Sequence, residues 1–379
     1  LDPEVVFLNH GSFGACPREV LQAQQDWQRE MERNPVHFLG RRSAGLLRQS
    51  REALAGFVGV QADHLVYVPN ATTGVNIVAR SIKLAPGDEV LTTDLEYGAC
   101  DATWQRLCEA QGARYVRVNV PLPLQRDQVA DRLMAAATPR TRLVYISHVT
   151  STTALVLPVA EVVRAAHARG LPVLVDAAHA PGLVDLDLDA IGADYTTGNA
   201  HKWLCAPKGV AFLHARPQHH ERLHATVTSW GYAAGSGGHT GFDAYLGSSV
   251  FERRLQWQGT RDISGALAVP TAIAFHRRHL GGAMRKRCRA LARQALQAQL
   301  ARTGLESIAR DDDFAQMVPL PVPPTDTEAL RSWLFERHRI EVPVTRHGDR
   351  CFVRISVQAY NDETDLAKLA GALQQWAHV

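Results

Sequence analysis

The chain is short of several features that would mark other kinds of protein. Its six cysteines (Cys16, Cys100, Cys108, Cys205, Cys288 and Cys351) are scattered and form no C-x-x-C pair. That spacing argues against a zinc site or a disulfide framework and for a reducing compartment. There is no large excess of one charge. With 41 Lys and Arg against 38 Asp and Glu, the net charge is +3 over 379 residues, which implies no nucleic-acid or membrane partner. No apolar run approaches a membrane span, and no charged-then-apolar leader opens the sequence as given. Cytoplasm is therefore the expected compartment. Internal repeats and low-complexity tracts are absent too.

An apolar fraction of 46% with 21% charge is that of an ordinary soluble globular protein, long enough for two domains. From residue 64 onward, short apolar runs alternate with helical patterns. Strands are predicted over 65–68, 90–92, 115–120, 143–147, 173–175, 194–197 and 210–214. Helices are predicted between them, over 74–83, 100–111, 125–137 and 159–169. This βαβ rhythm describes a mainly parallel sheet covered on both faces, an α/β fold. Ligands of such sheets bind outside the carboxyl ends of the strands. Before the sheet, residues 7–14 read as an extended, glycine-punctuated arm, followed by helices over 17–33 and 43–58. Residues 231–247 hold six glycines and read as a mobile loop, placed for a role over the cleft. A basic helix over 282–302 reads as a solvated face. Beyond it comes a smaller α/β unit: strand 314–321, helix 325–338, strands 340–343 and 352–356, helix 362–377.

The chemistry centres on residues 171–209. The run Pro172-Val-Leu-Val175 ends in Asp176, and a second run over 193–197 leads into Gly198-Asn-Ala-His-Lys202. A carboxylate at one strand end and a lysine just past the next suit pyridoxal phosphate. That cofactor needs an anion to keep its ring nitrogen protonated and an amine to hold its aldehyde. The bland alternative is a helix-capping Asp and a surface lysine. Upstream, Asn70-Ala-Thr-Thr-Gly74 follows a strand and opens a helix, where backbone amides and two hydroxyls can receive a phosphate or simply form an N-cap.

Asp176-Ala-Ala-His179 followed by His201-Lys202 resembles the fold-type I, class V aminotransferase family. The resemblance implies a large cofactor-binding domain with a seven-stranded sheet (16–258) and a smaller α/β domain (259–379) that includes the N-terminal arm (1–15). It implies that Lys202, Asp176 and His179 are catalytic, with Lys208 a distant second choice for the lysine. Ala71, Thr72 and Thr73, Asn199 and His201 would surround the cofactor phosphate, Tyr97 would stack on its ring, and Thr150 would bond its phenolic oxygen. His179 stands where many relatives have Gln. Gly259 and Thr260, in Trp257-Gln-Gly-Thr-Arg-Asp262, would reach the phosphate of a neighbouring subunit, which implies a homodimer. Arg354 would take the α-carboxylate of a small amino-acid substrate through its planar fork, with Asn9 and His10 of the arm beside the substrate.

Within the family, desulfurases carry a cysteine on the loop before the arginine strand. Here that loop, 342–350, has none, and Cys351 lies too close to Arg354. The segments 8–14, 151–155 and 354–361 are most similar to the isopenicillin N epimerase branch, which also contains carbon–sulfur lyases such as cysteine desulfhydrase and a sulfoxide lyase of ergothioneine synthesis, acting on a hercynylcysteine sulfoxide. Epimerisation at Cα is the first expectation and carbon–sulfur lysis the alternative. Transamination and a cofactor-dependent sensor stand behind both.

Overall fold

The computed structural model describes residues 1–232 and 246–376. A seven-stranded sheet is built from β2 (Leu65–Val68), β3 (Glu89–Thr93), β4 (Arg114–Val118), β5 (Thr141–Ser147), β6 (Val173–Asp176), β7 (Tyr195–Asn199) and β8 (Ala211–Ala215), with β1 (Val6–Phe7) lying outside it. The strand order is β2-β8-β7-β6-β5-β3-β4. All neighbours are parallel except those of β8, which runs antiparallel to both β2 and β7. This is the mainly parallel seven-stranded sheet expected from sequence, with β8 as the exception. The link from β7 to β8 holds no crossover helix, so the chain can only return antiparallel.

β6 is buried from end to end, and its side chains alternate between two cores. Val173 and Val175 pack on one face with Val144 and Ile146, beneath the helix Val159–His167. Leu174 packs on the other with Val75, Val78 and Trp104, which belong to the helices Ala71–Ser81 and Gly98–Ala110. The register sets Asp176 beside Ser147 of β5 and Thr197 of β7. The polar ends of three neighbouring strands thus lie side by side at the carboxyl edge.

A three-stranded antiparallel sheet follows, made of β9 (Met317–Val322), β11 (Val344–His347) and β12 (Arg350–Ser356), in the order β11-β12-β9, with β10 (Ile340–Glu341) pairing with β1 instead. The segment read as a loop before the arginine strand is in fact a hairpin, turning at Gly348 with φ +59°. Cys351 is buried within β12. The basic helix spans Gly282–Thr303, and Arg285, Arg289 and Arg293 each pair with an aspartate (Asp185, Asp312 and Asp311). Residues 264–275 form helices that pack with Val20, Leu54 and Phe212 against the large sheet. The expected loop over the cleft falls largely outside the described residues.

The N-terminal arm is more structured than an extended segment. β1 pairs in parallel with β10, Ser356 donates its amide to the Leu8 carbonyl (2.8 Å), and the chain then makes one helical turn, His10–Phe13. Gly14 follows at φ +72°, where an added Cβ would lie 2.1 Å from the His201 carbonyl oxygen. The absence of a side chain at Gly14 therefore fixes how closely the arm approaches the Lys202 peptide. Gly14→Ala should destabilise the fold by about 2 kcal/mol through overpacking and a strained φ. A lowered midpoint in urea unfolding, accompanied by weaker cofactor retention, is the expected result.

Candidate active site

A cavity of about 630 Å³ opens at the carboxyl edge of the large sheet. Asp176, Asn199 and Ser147 line it from the ends of β6, β7 and β5. Lys202, His201 and His179 line it from the loops after β7 and β6, Tyr97 from the loop after β3, and Ala71 and Thr72 from the start of the helix Ala71–Ser81. With the exception of Ser147, these are residues expected from sequence, and they face one space. Lys208 lies on the rim of the same cavity but is exposed.

Burial dominates the electrostatics. The Lys202 amine is pushed down to about 8, first by desolvation and then by the positive charge of Arg354, with Asp176 pulling the other way. Asp176 is held above the usual carboxylate range by its own burial. Its Oδ1 accepts from the Ala178 amide (2.9 Å), and Oδ2 accepts from the Tyr145 hydroxyl (3.2 Å). The Cys100 thiol approaches Oδ2 at 3.7 Å. His179 bridges the two ends of this array. Its Nδ1 accepts from the Trp203 indole, a pure donor, at 3.4 Å. In the neutral ring the proton then sits on Nε2, 3.2 Å from Lys202 Nζ, which accepts it as a free amine. Burial holds His179 well below its ordinary pKa, and Lys202 and Arg354 add to the effect.

Arg354 is buried in β12. Its Nη1 donates to the carbonyl oxygen of Ser151 and, at 3.3 Å, to Ser151 Oγ; Nη2 donates to Ser12 Oγ at 3.3 Å. Its Nε has no partner among the described residues. Ser12 and Ser151 both line the cavity and Arg354 does not, so the guanidinium lies behind the cavity wall, bonded to two of its hydroxyls, one of them carried on the arm.

Other expected site residues lie elsewhere. The His10 side chain is buried beneath the cavity, and its Nε2 meets the Lys202 carbonyl at 3.1 Å. A carbonyl only accepts, so His10 Nε2 carries the proton and Nδ1 accepts from the Tyr360 hydroxyl (2.9 Å). Asn9 Nδ2 donates to Glu341, and its Oδ1 accepts from Ser12 Oγ. Both arm residues thus orient the walls of the site and do not line it. The Thr73 hydroxyl and amide both donate to the capping side chain of Asn70, and Thr150 spends its hydroxyl on Thr153 and the Leu155 amide. Gly259 and Thr260 do not line the cavity, and Thr260 is exposed.

Sequence reading passed over Glu96, Trp203, Ser12 and Ser147. Glu96 is buried and its carboxyl is pushed up to about 8 by desolvation. It accepts from the Ser147 amide (2.8 Å) and hydroxyl (2.5 Å) and from the Thr93 hydroxyl (2.6 Å), and so ties the Tyr97 loop to the end of β5. An acidic residue three positions after the buried strand β3 and directly before Tyr97 was the available signal.

The family model for Aminotransferase class-V matches residues 6–369. The chain belongs to the class V aminotransferase family. It is 40% identical to an isopenicillin N epimerase of Streptomyces clavuligerus, covering 98% of this chain and 95% of that protein. It is 31% identical to a probable chloroplastic L-cysteine desulfhydrase of Arabidopsis thaliana, covering 98% and 83%. Among solved structures, the apo cysteine desulfurase of Thermococcus onnurineus NA1 superposes with a TM-score of 0.82 at 21% identity, over 98% of this chain and 94% of the other. The cystine C-S lyase C-DES, in complex with cysteine persulfide, superposes with a TM-score of 0.82 at 24% identity, over 98% and 97%. These structures share the fold. As a class V enzyme, the protein uses pyridoxal 5'-phosphate.

The residues present fit that cofactor. A buried carboxyl and a desolvated amine face one cavity, and a helix N-terminus with Thr72 lies at its end. His201 Nδ1 donates to the Val210 carbonyl (3.0 Å), which leaves Nε2 for a ligand; a phosphate there favours the imidazolium, which can donate to it. If Lys202 is the amine that takes the cofactor aldehyde, uptake of pyridoxal phosphate by the apo-protein requires its unprotonated form. Its rate should therefore rise with pH through about 8. Arg354→Gln removes a nearby positive charge and should move that midpoint upward. Stopped-flow absorbance across pH 6–10 would read both, and a midpoint unmoved by the substitution would refute the electrostatic coupling.

Proposed function

We propose that this enzyme epimerises the α-carbon of an amino acid or small peptide, with Lys202 as the proton-abstracting group. The observation that carries the reading is the desolvated amine of Lys202, its pKa pushed down to about 8, beside His179, in a chain that resembles an isopenicillin N epimerase over nearly its full length. When bound, the cofactor withdraws electrons from the substrate α-carbon and so acidifies its C–H bond. Asp176 supplies the anion for the ring nitrogen, and a positive ring opposite it offsets the cost of its burial. Thr72, through its amide and hydroxyl, and His201 hold the phosphate, with Asn199 orienting that turn through the Ala71 amide, which donates to its Oδ1 at 2.8 Å. Tyr97 covers the ring. Arg354, flanked by Ser12 and Ser151, takes the substrate carboxylate on its unpartnered Nε and the Nη groups. Lys202, once released by the incoming amino group, is left beside the α-hydrogen as a base, and His179 donates to it as long as it stays neutral.

Carbon–sulfur lysis is the second reading. It is favoured by the similarity to L-cysteine desulfhydrases at 29–32% identity over 98% of the chain. It needs the same Lys202 and Arg354, and it departs from epimerisation only after the α-proton has been removed.

We further propose a homodimer in which Gly259 and Thr260 complete the partner's phosphate site. Thr260 is exposed and does not line its own cavity, which leaves it available for that role. Cytoplasm fits the six free cysteines, and no helix among the described residues is long and apolar enough to cross a membrane. The large domain is assigned to residues 16–258 and the small one to 259–379 with the arm, the helices over 264–275 docking back onto the large sheet.

A panel of amino acids and short peptides, scored for inverted product, pyruvate and sulfide, tests the reaction. Inverted product with an intact carbon skeleton is expected; stoichiometric pyruvate without it would move the assignment to lysis. Borohydride reduction of the holoenzyme and then peptide mass spectrometry should place the pyridoxyl group on Lys202, and its appearance on Lys208 would overturn the lysine assignment. Sedimentation of the holoenzyme should give a dimer. A monomer that keeps full cofactor affinity at nanomolar concentration would contradict the shared site.

A further inference from the structure

Inversion at a tetrahedral carbon needs a proton removed from one face and another delivered to the opposite face. Lys202 serves one face only. A second group must therefore stand across the cavity from it.

The strand order says where that group comes from. Lys202 lies just beyond β7, and β7 lies on one side of β6, whose end carries Asp176. On the other side of β6 come β5 and then β3, with Tyr97 just beyond the end of β3. Lys202 and Tyr97 therefore enter the cavity from opposite flanks of Asp176, and both line it. The two histidines nearby do not meet the requirement. His179 has Nδ1 committed to Trp203 and Nε2 directed at Lys202 Nζ, so it stands on the lysine's side. His148 is buried and does not line the cavity.

Tyr97 has the remaining attributes. It is 46% exposed, so its hydroxyl can exchange protons with water. The hydroxyl makes no hydrogen bond among the described residues, which leaves it free for a substrate. It lies close enough to Arg354 to interact with the guanidinium electrostatically, near the place where a substrate carboxylate, and hence its α-carbon, would be held. Its backbone is fixed. The Tyr97 carbonyl accepts from the Cys100 and Asp101 amides (both 2.9 Å), and the neighbouring Glu96 is bonded to Ser147 and Thr93.

We infer that Tyr97 is the second catalytic residue, exchanging a proton with the α-carbon on the face opposite Lys202. This rests on the epimerase reading above. In one direction the Cα–H bond breaks toward Lys202 Nζ, which becomes an ammonium. The bonding pair stays with the substrate and its electron-withdrawing cofactor. The Tyr97 O–H bond then breaks to form a new C–H bond on the opposite face, and the resulting phenolate is balanced by Arg354. Solvent carries one proton from the ammonium to the phenolate, and no net proton is consumed. The reverse direction uses the same groups with their roles exchanged.

The test is α-hydrogen exchange in deuterium oxide, read by proton NMR on both enantiomers of alanine and of S-methylcysteine with the holoenzyme. Wild-type protein should exchange both enantiomers. Tyr97→Phe keeps the aromatic ring and loses only the hydroxyl. It should slow exchange of one enantiomer by about 100-fold, the usual scale of a lost general acid or base, while leaving the other within a few-fold. Apo-protein carrying the same substitution should bind pyridoxal phosphate with unchanged affinity, read by tryptophan fluorescence quenching. The inference is overturned by equal loss for both enantiomers, by no loss for either, or by wild-type exchange confined to one enantiomer. Failure of the epimerase reading looks different: exchange accompanied by pyruvate with no intact inverted product, whichever enantiomers exchange.

Discussion

Removal of a small set of charges from water at one edge of the large sheet governs the rest of this molecule. Lys202, Asp176, Arg354 and Glu96 are all ionisable and all desolvated there. For Lys202 the displacement from 10.5 to about 8 corresponds to roughly 3 kcal/mol against the ammonium form. That figure is the net of burial and Arg354, which both disfavour the ammonium, and of Asp176, which favours it. The arrangement is costly to the empty protein, and a cofactor with a positive ring nitrogen, an aldehyde and a phosphate answers its demands one by one. Strained or desolvated groups of this kind are what distinguish a functional cavity from a structural one.

The cavity is closed by parts of the chain that are far apart in sequence. The arm pairs with β10, bonds to the end of β12 and is tied by Asn361, whose Nδ2 donates to the Phe7 carbonyl at 3.0 Å. It thereby delivers Ser12 to Arg354 and places His10 under the Lys202 carbonyl. The chain Tyr360–His10–Lys202 runs from the segment after β12 through the arm to the lysine peptide, so the strand that carries Arg354 and the lysine share one hydrogen-bonded support. A support of this kind fixes the position of Lys202 relative to Arg354, and reactions between positioned groups depend on such placement.

The polar residues around the cavity divide by what else they must satisfy. Thr73 and Thr150 are of the right type for ligands and occupy the expected loops, yet each hydroxyl is drawn into a local turn. Thr72 and Ser151, their neighbours in the chain, present their side chains to the cavity instead. Backbone geometry over one or two residues decides which of two adjacent hydroxyls is spent on folding and which remains for binding. Glu96 and Trp203 work one layer behind, holding the Tyr97 loop and the His179 tautomer.

The amino-acid sequence by itself determined the α/β layout, because buried strands and amphipathic helices differ in period and the period is local. It also determined the Asp176–Lys202 pair and the chemistry they imply, since short loops after adjacent strands must bring those ends together. Tertiary structure alone decided the antiparallel turn of β8, the helical turn in the arm, and the placement of His10 beneath the lysine rather than against a substrate. It alone decided that His179 sits on the side of Lys202 and that Tyr97 stands across Asp176 from it. The reason is that strand order and side-chain direction depend on contacts between residues hundreds of positions apart, such as His10 with Tyr360, and no local pattern encodes them.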